Sequence, residues 1–278
     1  MTTVRLGRTE LVAGKQSFGC LPIQRITKEE AVALLRRAHD GGMNYFDTAR
    51  AYSDSEEKVG AAFAGMRDKI IISTKTQAVT AEGMRKDLEE SLRALQTDYI
   101  DIYQFHNPAF CPKPGGEDGL YKAALEAKRQ GKIRHISITN HRLAVAHEAI
   151  DSGLYDTLQF PFSYLSGPQE LELVDKCRAA DMGFIAMKAL AGGLTRPAEG
   201  RPLHPGRADG GRLHGDTALR GPHLGRPVRL GAGPVPGLRQ KSPGDDGGAP
   251  GGHRPGPEGA LRGLLPGVRL LHALPRGH

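Results

Sequence analysis

Four side chains that can ionise or pass on a proton stand at the ends of short apolar runs. Asp47 lies in Phe46-Asp47-Thr48-Ala49-Arg50-Ala51-Tyr52, with Tyr52 five residues behind it. Lys75 closes Ile72-Ser73-Thr74-Lys75, and His106 closes Tyr103-Gln104-Phe105-His106. A phenol has a pKa of about 10, too high for ready proton exchange at neutral pH. A neighbouring ammonium favours the phenolate and brings that value down. In this reading Asp47 pairs with Lys75, Lys75 tunes Tyr52 toward a general acid, and His106 donates to a carbonyl oxygen or shares its proton. Protonating a carbonyl oxygen while hydride reaches the carbon is what a carbonyl reductase requires. Singly, each residue has a plainer role as a cap, a rim charge or a hydrogen-bonded core histidine.

These groups need elements that bring them together. Strands are expected at 16–20, 44–49, 70–75, 99–106, 133–139, 157–162 and 184–189, where β-branched and apolar residues run together. Helices are expected between them, at 28–40, 55–64, 81–94, 119–130, 142–152 and 168–180. Thr27 followed by Glu30 is a capping-box pattern, and Gly41-Gly42 closes that first helix. Met84, Leu88, Leu92 and Leu95 form one apolar stripe at helical spacing. Strand and helix in alternation mean βαβ units and a parallel sheet. A doubly wound open sheet and a (β/α)8 barrel both satisfy that beat. No Gly-x-Gly-x-x-Gly follows the first strand, and the polar residues sit at the C-terminal ends of several different strands, as on a barrel's catalytic rim. The barrel is favoured.

The Asp-Thr-Ala-x-x-Tyr stretch, the Ser-Thr-Lys-Thr strand end and the Gln-Phe-His-Asn-Pro strand end resemble the signatures of the aldo-keto reductases, in that family's order. Gly131–Ile136 followed by Thr139-Asn140 resembles its fifth strand, Gln159 in Leu158-Gln159-Phe160 its sixth, and Met187-Lys188-Ala189 its seventh. The resemblance covers roughly residues 3–195. It implies a TIM-type (β/α)8 barrel binding NADPH or NADH without a Rossmann fold and reducing a small-molecule aldehyde or ketone. It implies Asp47, Tyr52, Lys75 and His106 as the catalytic tetrad and Thr139, Asn140 and Gln159 as ligands of the nicotinamide amide, with Lys188 also on the cofactor. Asn140 and Gln159 have an alternative, the satisfaction of backbone ends.

The pattern breaks near residue 195. Residues 1–195 read as the barrel and 196–278 as a low-complexity basic tail. From Arg201 onward there are 19 Gly and 12 Pro in 78 residues, without Ile, Phe, Tyr, Met, Asn or Cys, a composition that favours disorder. The last helices, the eighth strand and the basic segment that clamps the cofactor phosphate are expected to be missing. An inactive barrel fragment is therefore the alternative to a working reductase. A reading-frame shift near codon 195 accounts for such a tail, the alternative being a genuine disordered basic segment. Read one nucleotide later, the junctions beginning at Leu265, Val268, Leu271 and Leu274 permit a Cys-x2-Cys-x2-Cys-x2-Cys-Pro run, and also Phe, Ser or Tyr at each. That spacing resembles the 4Fe-4S extension of one aldo-keto reductase branch, which the unshifted parent would carry. The chain as written is expected to hold no metal.

Net charge divides at the same place. Residues 201–278 hold twelve basic and five acidic side chains, so the whole excess of +7 lies there and residues 1–200 are neutral. Arginine without aromatic neighbours attracts phosphate but gives no stacking platform, so nucleic acid is not an expected partner. Cys20, Cys111 and Cys177 lie far apart, and no apolar run approaches a membrane span or an export signal. A cytoplasmic setting is the expectation, with the oligomeric state left open.

Overall fold

The computed structural model describes residues 2–190 and the backbone of one further strand, Val268–His272. A short antiparallel hairpin comes first, β1 (Thr3–Arg5) and β2 (Val12–Gly14). Six strand–helix units follow: β3 (Gln16–Gly19), α1 (Lys28–Asp40), β4 (Tyr45–Asp47), α2 (Ser55–Phe63), β5 (Ile71–Thr76), α3 (Ala81–Leu95), β6 (Ile100–His106), α4 (Leu120–Arg129), β7 (Ile133–Thr139), α5 (Leu143–Ser152), β8 (Thr157–Pro161) and α6 (Pro168–Ala179). Then come β9 (Gly183–Met187) and β10 (Val268–His272). Strands β3 to β9 pair in parallel in chain order, and β10 pairs in parallel with both β9 and β3, which closes an eight-stranded barrel.

Local chemistry accounts for these elements. At the start of α1 the Thr27 hydroxyl accepts from the Glu30 amide (3.2 Å) and the Glu30 carboxylate accepts from the Thr27 amide (2.9 Å), the reciprocal bonds expected of the pair. The stripe on α3 is buried as its spacing predicts. All six residues of β5 are buried, as are Ile100–Phe105 of β6, because helices cover the sheet outside and side chains fill it inside.

Two features depart from the sequence expectation. The hairpin, whose strands are too short to show a period, lies across the N-terminal end of the barrel, and its Leu6 packs with Tyr45, Ile71, Ile102 and Ile185. Gly7 has φ +54°, and a Cβ there would meet the backbone nitrogen of Gly183 at 2.3 Å, so only glycine lets the hairpin close on β9.

The second departure is β10: the eighth strand, expected to be missing, is supplied from within the basic tail. Residues 268–274 are the tail's longest run free of Gly and Pro, and so its longest stretch able to keep a continuous ladder. Both neighbours offer unpaired edges, and Leu270 registers with Gln16 on one side and Ala186 on the other. The expected disorder and missing phosphate segment at 196–267 fall outside the described residues.

Candidate active site

Asp47 ends β4, Lys75 is the last residue but one of β5, and His106 ends β6, so three adjacent strands deliver them to the C-terminal rim. The Lys75 ammonium donates to Asp47 Oδ2 and to the Thr48 carbonyl, each at 2.6 Å, with Lys75 and Asp47 both buried. An ammonium has three hydrogens, and two are spent here. Lys75 Nζ lies 5.3 Å from the centre of the Tyr52 ring, which meets the His106 ring edge-to-face at 5.8 Å. The four residues expected to form one constellation do come together.

Tyr52 reaches this place on the loop between β4 and α2. Thr48 donates its amide to the Ser73 carbonyl (2.8 Å) and Arg50 to the Lys75 carbonyl (3.0 Å), which continues the β4–β5 ladder beyond Asp47. Arg50 pairs with the buried Glu56, and Glu56 also accepts from Thr74 at 2.6 Å. The Ser55 hydroxyl bonds the Cys20 carbonyl at 3.0 Å. A loop bound to two strands and a helix is a rigid mount for a proton donor.

The electrostatics differ from the sequence expectation at Tyr52. Burial raises its phenol above the ordinary value; Lys75 pulls it down and Asp47 pushes it up, and the net direction is upward. Burial also works against the charge on Lys75, but Asp47 and Tyr52 outweigh it and the ammonium is held above its usual range. His106 is brought down to about 3 by burial first, then by Lys75 and His141. At neutral pH His106 is thus an uncharged imidazole able to donate one hydrogen bond, and its Nδ1 has no hydrogen-bond partner among the described residues.

The residues expected on the cofactor lie beside this cluster, on β7, β8 and just after β9. Gln159 is wholly buried; its Nε2 donates to Asp47 Oδ2 at 3.1 Å and its Oε1 accepts from Gln104 at 3.0 Å. Thr139 is buried in register with both His106 and Gln159. Asn140 is engaged by the protein: its amide donates to the Pro108 carbonyl (2.8 Å), and its Oδ1 accepts from the amides of His141 and Arg142. It organises the turn into α5, the alternative its sequence position carries. Lys188 follows β9 with φ +56° and lines a cavity of about 420 Å³ with His141, Phe162, Ser163 and Glu170. None of Asp47, Tyr52, Lys75 or His106 is on that wall.

Two contributors escape sequence reasoning. Gln104 and Glu56 are buried polar residues that touch the site's framework, and Gln104 interrupts an apolar strand, the signal that could have marked it. Among the described residues, no three metal-ligating side chains gather, and no helix is long and apolar enough to cross a membrane.

Comparison with known proteins places this geometry. The chain is 30% identical to L-galactose dehydrogenase of Arabidopsis thaliana over 226 residues, 72% of this chain and 70% of that protein. It is 26% identical to the NADH-specific methylglyoxal reductase of Escherichia coli, covering 75% of this chain and 73% of the other. An aldo-keto reductase from Klebsiella pneumoniae, solved in complex with NADPH, superposes with a TM-score of 0.60 at 27% identity, over 70% of each chain. The model of the aldo/keto reductase family matches residues 10–221, reaching past the break in composition. An oxidoreductase barrel with these strand ends and these relatives has one assignment: the chain belongs to the aldo/keto reductase family.

Proposed function

We propose that this chain reduces an aldehyde or ketone to the alcohol with NADPH or NADH, Tyr52 giving the proton. The observation that carries the reading is the buried Asp47–Lys75 pair with the Tyr52 ring against it and the neutral His106 beside it. The nicotinamide, when bound, supplies hydride. The residues present fit such a group. Gln159 keeps one amide hydrogen and one lone pair beyond its bonds to Asp47 and Gln104, and the Thr139 side chain has no hydrogen bond among the described residues. The cavity at Lys188 continues along the same rim and suits the rest of an extended cofactor.

In the reaction, His106 donates to the carbonyl oxygen and orients it, and Tyr52 passes its proton to that oxygen. Lys75 stabilises the phenolate left behind, and Asp47 keeps Lys75 charged and in place. Asn140 holds the turn after β7 and meets the cofactor with its remaining amide hydrogen. The relatives include a protein named as NADH-specific and one bound to NADPH, so either dinucleotide is a candidate.

The test is steady-state reduction of small aldehydes with each cofactor, in the parent chain and in Tyr52→Phe. Turnover by the parent, lost in Tyr52→Phe with cofactor binding retained, supports the reading; equal turnover in Tyr52→Phe sinks it. The second reading, an inactive barrel, is favoured by the composition of residues 196–267, where a phosphate clamp is expected. It predicts that neither dinucleotide binds, which calorimetric titration decides.

A further inference from the structure

Gln104 stands in the middle of β6, wholly buried, in register with Lys75 on β5 and Ser137 on β7. Its Nε2 lies 2.7 Å from Ser73 Oγ, 3.0 Å from Gln159 Oε1 and 3.2 Å from Asp47 Oδ1. Gln159 Nε2 donates in turn to Asp47 Oδ2, the oxygen that also accepts from Lys75. Asp47, Gln104 and Gln159 come from β4, β6 and β8. A barrel builds each interior layer from alternate strands in this way, ordinarily with branched apolar side chains. A carboxamide buried there is costly unless it is bonded. Here the nitrogen is bonded, its two hydrogens shared among Ser73, the amide of Gln159 and the acid that holds Lys75, while Gln104 Oε1 has no partner among the described residues.

We propose that Gln104 is a positioning residue of the reductase: it holds the Asp47 carboxylate against Lys75 and fixes which way the Gln159 amide points. One side chain thereby governs both the acid strength of Tyr52 and the fit of the nicotinamide amide. The inference rests on the function proposed above. The positive ends of two amide dipoles, one from Gln104 and one from Gln159, face Asp47 and offset part of its charge. Without Gln104 more of that negative charge acts on Tyr52, and the phenol holds its proton more tightly. Gln159 Oε1 also loses the only donor it has among the described residues, so its amide is free to turn.

The full chain is compared with Gln104→Leu and Gln104→Glu. Phenolate absorbance after a stopped-flow pH jump, each protein measured against its own Tyr52→Phe counterpart, reads the ionisation of Tyr52 alone. The break is expected to move up by about half a unit or more in Gln104→Leu, and further in Gln104→Glu, where a second acid replaces the donor. NADPH affinity, by calorimetry, is expected to fall about tenfold in Gln104→Leu, the scale of one lost buried hydrogen bond. Gln104→Glu keeps the shape of the side chain, so its shift cannot come from a cavity. A Tyr52 break unmoved in both variants overturns the proposal, whatever happens to the melting temperature. A parent chain that binds NADPH but reduces no aldehyde overturns the proposed function instead, and the titration reads the role of Gln104 independently.

Discussion

Lys75 Nζ sits 2.6 Å from Asp47 Oδ2, with the two side chains only 2% and 5% exposed. Two opposite charges removed from water depend on each other, and deleting either strands its partner. We expect Lys75→Met or Asp47→Asn to lower stability by about 3–5 kcal/mol, and the double variant to recover part of that loss. Urea denaturation of the three variants checks it. Single variants as stable as the parent would contradict a buried pair.

Tyr52 titrates above its ordinary value, and the sign of that shift sets the pH profile. If the proposed reduction draws its proton from Tyr52, the rate should stay level through neutral pH and fall only above about 10. Tyr52→Phe should lower kcat by roughly a hundredfold to ten-thousandfold. A parent profile that breaks near pH 8 would show that Lys75, rather than burial, dominates at the phenol.

His106 is held uncharged down to about pH 3. Its C–H proton resonances should therefore keep neutral-imidazole shifts from pH 8 to pH 5, about the span over which an exposed histidine titrates. Because the folded pKa lies below the unfolded one, this group's contribution to stability is complete above about 6.5 and is lost as pH falls toward 3. His106→Gln should flatten that acid slope in denaturation curves taken between pH 7 and 4. A slope unchanged from the parent's would count against a buried neutral ring.

Leu270 registers with Gln16 on β3 and Ala186 on β9, so its peptide lies in the ladder that joins both open edges. Proline there removes a donor from the middle of a sheet, and Leu270→Pro should destabilise the chain by about 3 kcal/mol or more. The nucleotide sequence across codons 190–200 tests the frameshift expectation separately. A single-base change that restores a cysteine run assigns the tail to a shifted frame. Stability unchanged in Leu270→Pro would contradict the closing strand, whatever the origin of the tail.

What the sequence made legible was whatever depends on neighbours along the chain. The α1 capping box, the α3 stripe and the polar residues ending β4, β5 and β6 all sit within a few positions of their signals. Gln104 was not legible as part of the site because its partners, Ser73, Asp47 and Gln159, lie on three other strands, far from it in sequence. The upward shift of Tyr52 was missed for a related reason. The attraction of Lys75 shows in the motif, whereas the larger effect, burial, belongs to the assembled rim. For Asn140 the same side chain suits a turn or a ligand, and only the bonds to Pro108, His141 and Arg142 show how it is engaged. Strand β10 was obscured by its surroundings, since the pairing that makes it a strand is offered by β3 and β9.

Eighty residues separate Met187 from Val268, yet the two strands lie side by side. During synthesis a ribosome emits β3 to β9 well before their last neighbour exists. Seven strands must wait as an open arc, its two margins ready to pair with any extended chain nearby. Joining the ends over so long a span adds only logarithmically to the entropic cost, but contacts this distant in sequence form late and slowly. The interval before ring closure is therefore when this protein is most exposed to misassembly. Chaperone demand during expression should track the arrival of residues 268–272 rather than the completion of the tetrad.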